Sequence, residues 1–499
     1  MAKVATAKFA TTDAVFFGRH DSHSQPSSSR TSARGAGSKF KTIAGSEWTV
    51  DDRSRIDDSS VGRREGDSRG AQTLRIILIR CPHPGGTESR HPSLPEHIRK
   101  MPLRVMKSLN QVSQTLTDVE FSSLKLSSNL ADGHAYQDLG SVFEPIIRKL
   151  PTIWLTTERE PIPATEACFK RQFCELINSK AALSHTNFRV CPTASNSIDI
   201  VAAFLSEKRV LTALIEPTFD NLSLLLRRRG VQLIAIDETL LARVARSGEL
   251  EDLPQIHEAG AIFIVNPNNP TGVSLDESSL HNLAEYCRKR GKLLVIDNSF
   301  RLFNRRPFDD YELLLGSRVS FIAFEDTGKT WPTMDLKASL VFYSDDNASL
   351  FEVLYNELYL CASSISLAVL TQFFNATGEA GLDAAVWSTV DRNRASLREV
   401  IAGSALFVPH SSLGSGLSVE WLSCRGLART DLELCADLRR RGLGVLPGRN
   451  FYWAHRDAEP FQHNIRISLL KRRDVFARSM IVLSEFLEQI AAVSDKSYE

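Results

Sequence analysis

A chain of 499 residues, 42% hydrophobic and 24% charged, is long enough to bury a sizeable core and to form two intertwined units. Its 60 basic residues against 59 acidic ones leave a net charge of +1, so no overall field favours nucleic acid or a membrane surface. No apolar run approaches the roughly 20 residues needed to cross a bilayer. The eight cysteines (81, 168, 174, 191, 287, 361, 424, 435) show neither a Cys-x-x-Cys pair nor a metal-ligand spacing, which predicts a reduced, cytoplasmic chain.

Residues 1–100 differ from the rest. Stretches such as Ser27-Ser28-Ser29-Arg30 and Asp51 to Asp67 are rich in Ser, Arg, Gly and Asp. They hold too few apolar positions to offset chain entropy, so the segment is expected to be disordered. Arg and Ser would suit a transit peptide, but Asp51, Asp52, Asp57, Asp58 and Glu65 argue against one. A natural start at Met101 or Met106 is the preferred reading, leaving residues 1–100 as a non-native extension. Residues 101–165 are then an N-terminal arm and part of a smaller unit, 166–385 a large unit, and 386–499 a small C-terminal one.

From about residue 185 strand-like and helix-like segments alternate, the pattern of a doubly wound parallel sheet. The predicted strands are Phe188–Cys191, Val210–Ile215, Gln232–Ile236, Ile262–Val265, Leu293–Ile296, Ser320–Phe324 and Ala338–Tyr343. Leu280, Leu283, Ala284 and Cys287 form one apolar stripe and predict a covering helix over Leu280–Arg290. Toward the C-terminus a helix over Asp431–Arg440, a turn at Leu446-Pro447-Gly448, a strand over Asn464–Leu469 and a last amphipathic helix over Val475–Ala492 are expected. There is no internal repeat.

In an open α/β sheet, ligands bind just beyond the carboxyl ends of the strands. Three polar motifs stand at such ends: Asn269-Pro270-Thr271-Gly272, Asp297 and Lys329. Singly they read as a turn, a cap and a surface lysine. Together they bring an amide, a carboxylate and an amine to one crevice. That trio suits pyridoxal phosphate, whose chemistry needs a lysine Schiff base and an acid facing the pyridine nitrogen. A helix start at Thr193-Ala194-Ser195 would offer free N–H groups to the phosphate.

Ordered this way, with Arg466 in Asn464-Ile465-Arg466-Ile467-Ser468 as a fourth motif, the sequence from about 120 to 490 resembles fold-type I pyridoxal-phosphate enzymes, specifically the class I/II aminotransferases. The resemblance implies a seven-stranded, mostly parallel sheet, a smaller α/β unit and a homodimer. It implies that Lys329 carries the cofactor and moves protons, that Asp297 keeps the pyridine nitrogen protonated, and that Asn269 binds the cofactor's 3′ oxygen. Phe219 would stack on the ring, and Arg466 would clamp the α-carboxylate of a free amino acid substrate.

Three positions depart from the family pattern. Phe300 stands where a tyrosine usually donates to the 3′ oxygen. Asp326 replaces a serine three residues before the lysine, so Thr327 is expected to supply the hydroxyl while Asp326 turns away. Lys337 replaces an arginine on the phosphate. Within the segment Asn129–Gln137, Asn129–His134 together with Phe300 and Glu325-Asp326-Thr327-Gly328-Lys329 looks like the branch containing pyridoxal-phosphate- and oxygen-dependent arginine oxidases and hydroxylases. That segment also reads as an ordinary Asp-Gly turn. Transamination is the family's usual chemistry, and oxidation or hydroxylation of a basic amino acid is the alternative.

Overall fold

The computed structural model describes residues 114–496. The expectations for residues 1–100, and for a start at Met101 or Met106, lie outside the described residues.

The strands in chain order are β1 (Ser128–Asn129), β2 (Phe188–Cys191), β3 (Thr212–Glu216), β4 (Leu233–Asp237), β5 (Ala261–Val265), β6 (Leu293–Asp297), β7 (Phe321–Phe324), β8 (Ser339–Tyr343), β9 (Val419–Ser423), β10 (Leu443–Gly444), β11 (Leu446–Pro447) and β12 (Asn464–Ser468). Seven of them form one sheet in the order β2-β8-β7-β6-β5-β3-β4. Only β8 runs against its neighbours β2 and β7. The central strands read Ala-Ile-Phe-Ile-Val, Leu-Leu-Val-Ile-Asp and Phe-Ile-Ala-Phe, and every residue in them is buried. Continuous apolar strands are what a parallel sheet covered on both faces requires. Phe263 and Phe324 meet edge-to-face at 6.2 Å in this layer, and Phe263→Ala is expected to cost about 3–5 kcal/mol.

All seven predicted strands are present, several shifted by one residue toward their carboxyl end. Glu216, Asp237 and Asp297 close β3, β4 and β6, because the ladder continues past the last apolar residue: Val265 pairs with Asp297, and Asp297 with Phe324. The helix expected to begin at Leu280 begins at Glu277, since Asp276 caps it by accepting from the Ser279 N–H at 2.9 Å.

A second sheet, β11-β12-β9, is antiparallel, with Arg466 paired to Trp421 and to Leu446. Leu446 and Pro447, expected as a turn, are therefore an edge strand beside β12. β1 pairs in parallel with β10. Helix Gly140–Thr157, expected in the smaller unit, packs on helix Ser364–Ala380, where Phe143 and Phe373 lie 4.9 Å apart. Among the described residues no helix is long and apolar enough to cross a membrane, and the seven described cysteines are free.

Candidate active site

The pairing of β5 with β6 and of β6 with β7 brings Val265, Asp297 and Phe324 to one level. The loops leaving those strands enclose a cavity of about 240 Å³. Asn269, Asp297 and Lys329 line it, as do Phe219, Phe300 and Lys337. Thr193, Ala194 and Ser195 border it too, at the start of helix Ala194–Lys208. Two residues expected at the site, Thr327 and Arg466, do not line it.

Each loop is held by its own neighbours. The turn carrying Asn269 closes through the Gly272 N–H donating to Asn268 O at 2.7 Å. Gly272 has φ +79°, and a Cβ there would collide with the Ser415 hydroxyl, so glycine is required. Beneath the turn lies Glu238, fully buried, which accepts from the Thr271 hydroxyl at 2.8 Å and from the Asn268 amide. Burial pushes its carboxyl up to about 8, against the pull of those two donors, so it stays protonated at neutral pH.

Asp297 is likewise buried, and its Oδ1 accepts from the Ser299 N–H at 2.8 Å and the Ser299 hydroxyl at 2.5 Å. Burial raises its carboxyl to about 6, with Ser299 pulling the other way. An acid in such a place is stabilised in its charged form by a cation against it, which a protonated pyridine nitrogen would supply. Asn269 Oδ1 accepts from Arg466 Nη1 at 3.4 Å, while among the described residues its Nδ2 has no acceptor. At the other end Thr193 caps the helix, its hydroxyl accepting from the Asn196 N–H at 3.3 Å and donating to Asn196 Oδ1 at 2.7 Å. The first N–H groups of the helix are thus left for an anion. A buried acid, a free amide donor, a lysine and an anion-binding helix start fit the ring nitrogen, 3′ oxygen, aldehyde and phosphate of pyridoxal phosphate.

Asp326 and Thr327 face the opposite ways to those expected. Thr327 is buried, its hydroxyl donating to Ala338 O at 3.0 Å and accepting from Ala338 N at 2.9 Å. This ties the Lys329 loop to the start of β8 and leaves no hydroxyl for a phosphate. Asp326 lines the cavity and accepts from the Gly328 N–H at 2.9 Å. Lys337 meets His134 Nε2 at 2.9 Å and Asp335 at 3.2 Å.

Arg466 sits within β12, only 1% exposed. Its Nη2 donates to Ala131 O at 2.6 Å and to Glu120 Oε1 at 3.1 Å. Its guanidinium carbon lies 5.6 Å from the Phe451 ring centre. Arg466 therefore reaches the cavity through Glu120 and Asn269, both of which line it. Glu120 escaped the sequence reading. It lies on helix Leu116–Ser123, whose Thr115–Asp118 capping box was the available signal.

The segment Asn129–Gln137 is an arm across this site. The Ser468 N–H donates to Leu130 O at 2.8 Å, and the Tyr136 N–H to Leu470 O at 3.0 Å. Farther along, the Ala135 N–H reaches Gly328 O at 3.3 Å and Gln137 Nε2 reaches Thr330 O at 2.8 Å. The arm thus stitches the end of β12 to the Lys329 loop. It delivers His134 to the cavity, with His134 Nδ1 2.7 Å from Asp132. Burial works against the charge on Asp132, yet His134 and Lys471 hold its carboxyl well below the usual range. Lys471, itself buried, is pushed down to about 8 by that burial. Gly133 passes so close to Arg466 that a Cβ would lie 3.2 Å from Nη2.

A wider cleft of about 780 Å³ lies at the amino ends of the strands, by Val210, Gly260, Lys292 and Ser320. Two of its basic residues, Lys208 and Arg288, stand in the last turns of their helices, where cations offset the dipole. Asp345 and Asp346 line it as well. Among the described residues no His, Cys, Asp and Glu group could hold a metal ion.

The profile of the family "Aminotransferase class I and II" matches residues 124–475. A solved structure described as MppP soaked with the product 2-ketoarginine is 34% identical, covering 72% of this chain and 99% of that one, with a TM-score of 0.67. N-succinyldiaminopimelate aminotransferase from Mycobacterium tuberculosis is 17% identical over 75% of this chain and 98% of its own, with a TM-score of 0.60, and speaks for the fold alone. A putative cystathionine beta-lyase of Mycobacterium leprae (strain TN) is 27% identical over 169 residues, 34% of this chain. That match spans 41% of the relative's length.

Proposed function

Since the chain belongs to the class I and II aminotransferase family, whose enzymes work with pyridoxal 5′-phosphate, we propose that it removes the α-amine of a free L-amino acid, with Lys329 as the residue that holds the cofactor. The convergence of Asn269, Asp297 and Lys329 on one cavity, with a helix start at its other end, carries this reading. When bound, the cofactor supplies an electron sink for the bond broken at the substrate's Cα. Lys329 takes the Cα proton and returns one. Asp297, steadied by Ser299, holds the ring nitrogen's proton in place. Asn269 donates to the 3′ oxygen, and Thr193, Ala194, Ser195 and Lys337 surround the phosphate. Arg466 binds the α-carboxylate once that carboxylate takes the place of Glu120.

The side chain we propose is cationic, with L-arginine as the example and its 2-keto acid as product. Glu120 and Asp326 border the same cavity and suit a guanidinium. The likeness to MppP, whose soaked product is 2-ketoarginine, supports the same choice.

Transamination passes the amine on to a keto acid. The second reading, oxidation or hydroxylation with molecular oxygen as electron acceptor, is favoured by Phe300, which cannot donate to the 3′ oxygen. Oxygen uptake with L-arginine separates the two: consumption without any keto acid supports oxidation, and undiminished anaerobic turnover with a keto acid supports transamination. We further propose that the enzyme works as a twofold homodimer in the cytoplasm, as a closed symmetric pair, and light scattering that gives a monomer for active protein would refute the pair.

The attachment has a direct test. The purified protein is expected to be yellow, with absorbance bleached by borohydride and the reduced adduct mapped to Lys329. A wild-type level of reduced lysine adduct in Lys329→Ala would end the assignment.

A further inference from the structure

Beneath the cavity floor lies a cluster of charge that the chemistry above does not use. Arg301 follows Asp297 by four residues, and Glu325 precedes Lys329 by four. The Arg301 fork donates to both oxygens of Asp310, Nη1 at 2.5 Å and Nη2 at 2.7 Å. Its Nε donates to Glu325 Oε1 at 2.8 Å. Tyr311 donates its hydroxyl to the same Glu325 oxygen at 2.7 Å, and its ring lies under the guanidinium at 4.9 Å. The side chains are almost wholly enclosed: 13% of Arg301, 4% of Asp310 and 3% of Glu325 is exposed. The Cys174 thiol also lies near Glu325 and Arg301.

Buried ion pairs are a poor source of stability, because desolvation cancels much of their attraction. What they supply is fixed geometry: a planar fork bound at both ends has one place to be. The backbone leads to the same joint. The Arg301 N–H donates to Asn298 O at 2.9 Å, and the Asn298 N–H to Phe324 O at 2.8 Å. The loop after β6 and the loop after β7 are thus clipped by main chain above and by the guanidinium below.

We infer that Arg301 is a positioning residue that, through Asp310 and Glu325, fixes the spacing between Asp297 and Lys329. This rests on the roles proposed above for those two residues. Thr327 anchors the Lys329 loop to β8 on one side, and Glu325 anchors it to β6 on the other. With the second anchor gone, Lys329 keeps its place in the chain but loses its fixed distance from the ring-facing acid.

The holoenzyme's visible absorbance, titrated against pH, reads that distance without turnover. Arg301→Lys keeps the charge and loses the fork, and Glu325→Ala removes the anchor. Both are expected to shift the absorbance midpoint by about half a pH unit or more and to lower kcat about tenfold with KM within about threefold. Glu325→Gln keeps an acceptor oxygen for Arg301 and Tyr311 and should restore the wild-type midpoint. Tyr311→Phe, which leaves the fork intact, is the milder variant if the others do not fold, and should shift the midpoint in the same direction by less. A lower thermal midpoint with an unmoved absorbance midpoint in these variants would overturn the inference, as would an Arg301→Lys enzyme equal to wild type. The borohydride mapping to Lys329 is done on the wild-type protein, so failure of the underlying reading shows there first.

Discussion

The two sides of the cavity are built differently. The side formed by β5, β6 and β7 is fixed by main chain and by fully buried partners: Asp297 by Ser299, the Asn269 turn by Glu238 and Gly272, the Lys329 loop by Thr327. The side formed by β12 and the arm is stitched by main chain as well, but the groups it turns toward the cavity are side-chain ions. Arg466 rests on Glu120, and His134 lies between Asp132 and Lys337. Main-chain contacts give a rigid seat for a group that stays, whereas a carboxylate on a guanidinium can be exchanged for another carboxylate. The contrast supports the proposal that the first side seats the resident cofactor and the second takes substrates that come and go.

The largest effect should come from the rigid side. Asp297→Asn is expected to keep the fold and bound cofactor while turnover falls by roughly 10²–10³, the usual loss when a preorganised charge at the reacting group is removed. Near-wild-type turnover would remove Asp297 from the chemistry.

On the exchangeable side the effect should fall on KM. Arg466→Lys loses the two-pronged grip on a carboxylate, and a loss of about 1.5–3 kcal/mol raises KM roughly 10- to 100-fold. A kcat loss with unchanged KM would place Arg466 on the cofactor side instead. Glu120→Gln should raise KM for L-arginine roughly tenfold and leave that for a neutral amino acid of similar length nearly unchanged. Equal changes for both would show that Glu120 serves only Arg466.

The smallest effect concerns stability. Burial raises the Glu238 carboxyl from its ordinary 4.5 to about 8. A folded chain that holds this proton more tightly than the unfolded chain loses stability as pH rises between those two values. Glu238→Gln removes the proton and keeps the shape, so its thermal midpoint should exceed that of wild type by a few degrees above pH about 8, the gap closing as pH falls toward 5. A gap independent of pH would mean that Glu238 is not the titrating group.

The rigid side was legible in the sequence because it is local: each strand announces its end by an apolar run, and Asn269, Asp297 and Lys329 stand within a few residues of one. The exchangeable side was less so. Glu120 meets Arg466 across 346 positions, and nothing in the eight-residue helix Leu116–Ser123 says where it will lie. The reversed facing of Asp326 and Thr327 was hidden for a related reason. Either residue could face the cavity, and the partner that decides, Ala338, offers only its backbone. Leu446 and Pro447 look like a turn until β12 is beside them, since an edge strand is defined by its neighbour.

Gly133 sets a gauge for what may enter. Its missing side chain lets the arm lie directly against Arg466, where a single methyl would press on the guanidinium at 3.2 Å. The clearance above the proposed carboxylate-binding group is therefore measured by one hydrogen atom. Gly133→Ala would act as a spacer, lifting the arm and carrying His134 with it. The mouth of the site would widen without any change to the residues on its floor, and tolerance for bulkier amino acids would become adjustable from a position that takes no part in the chemistry.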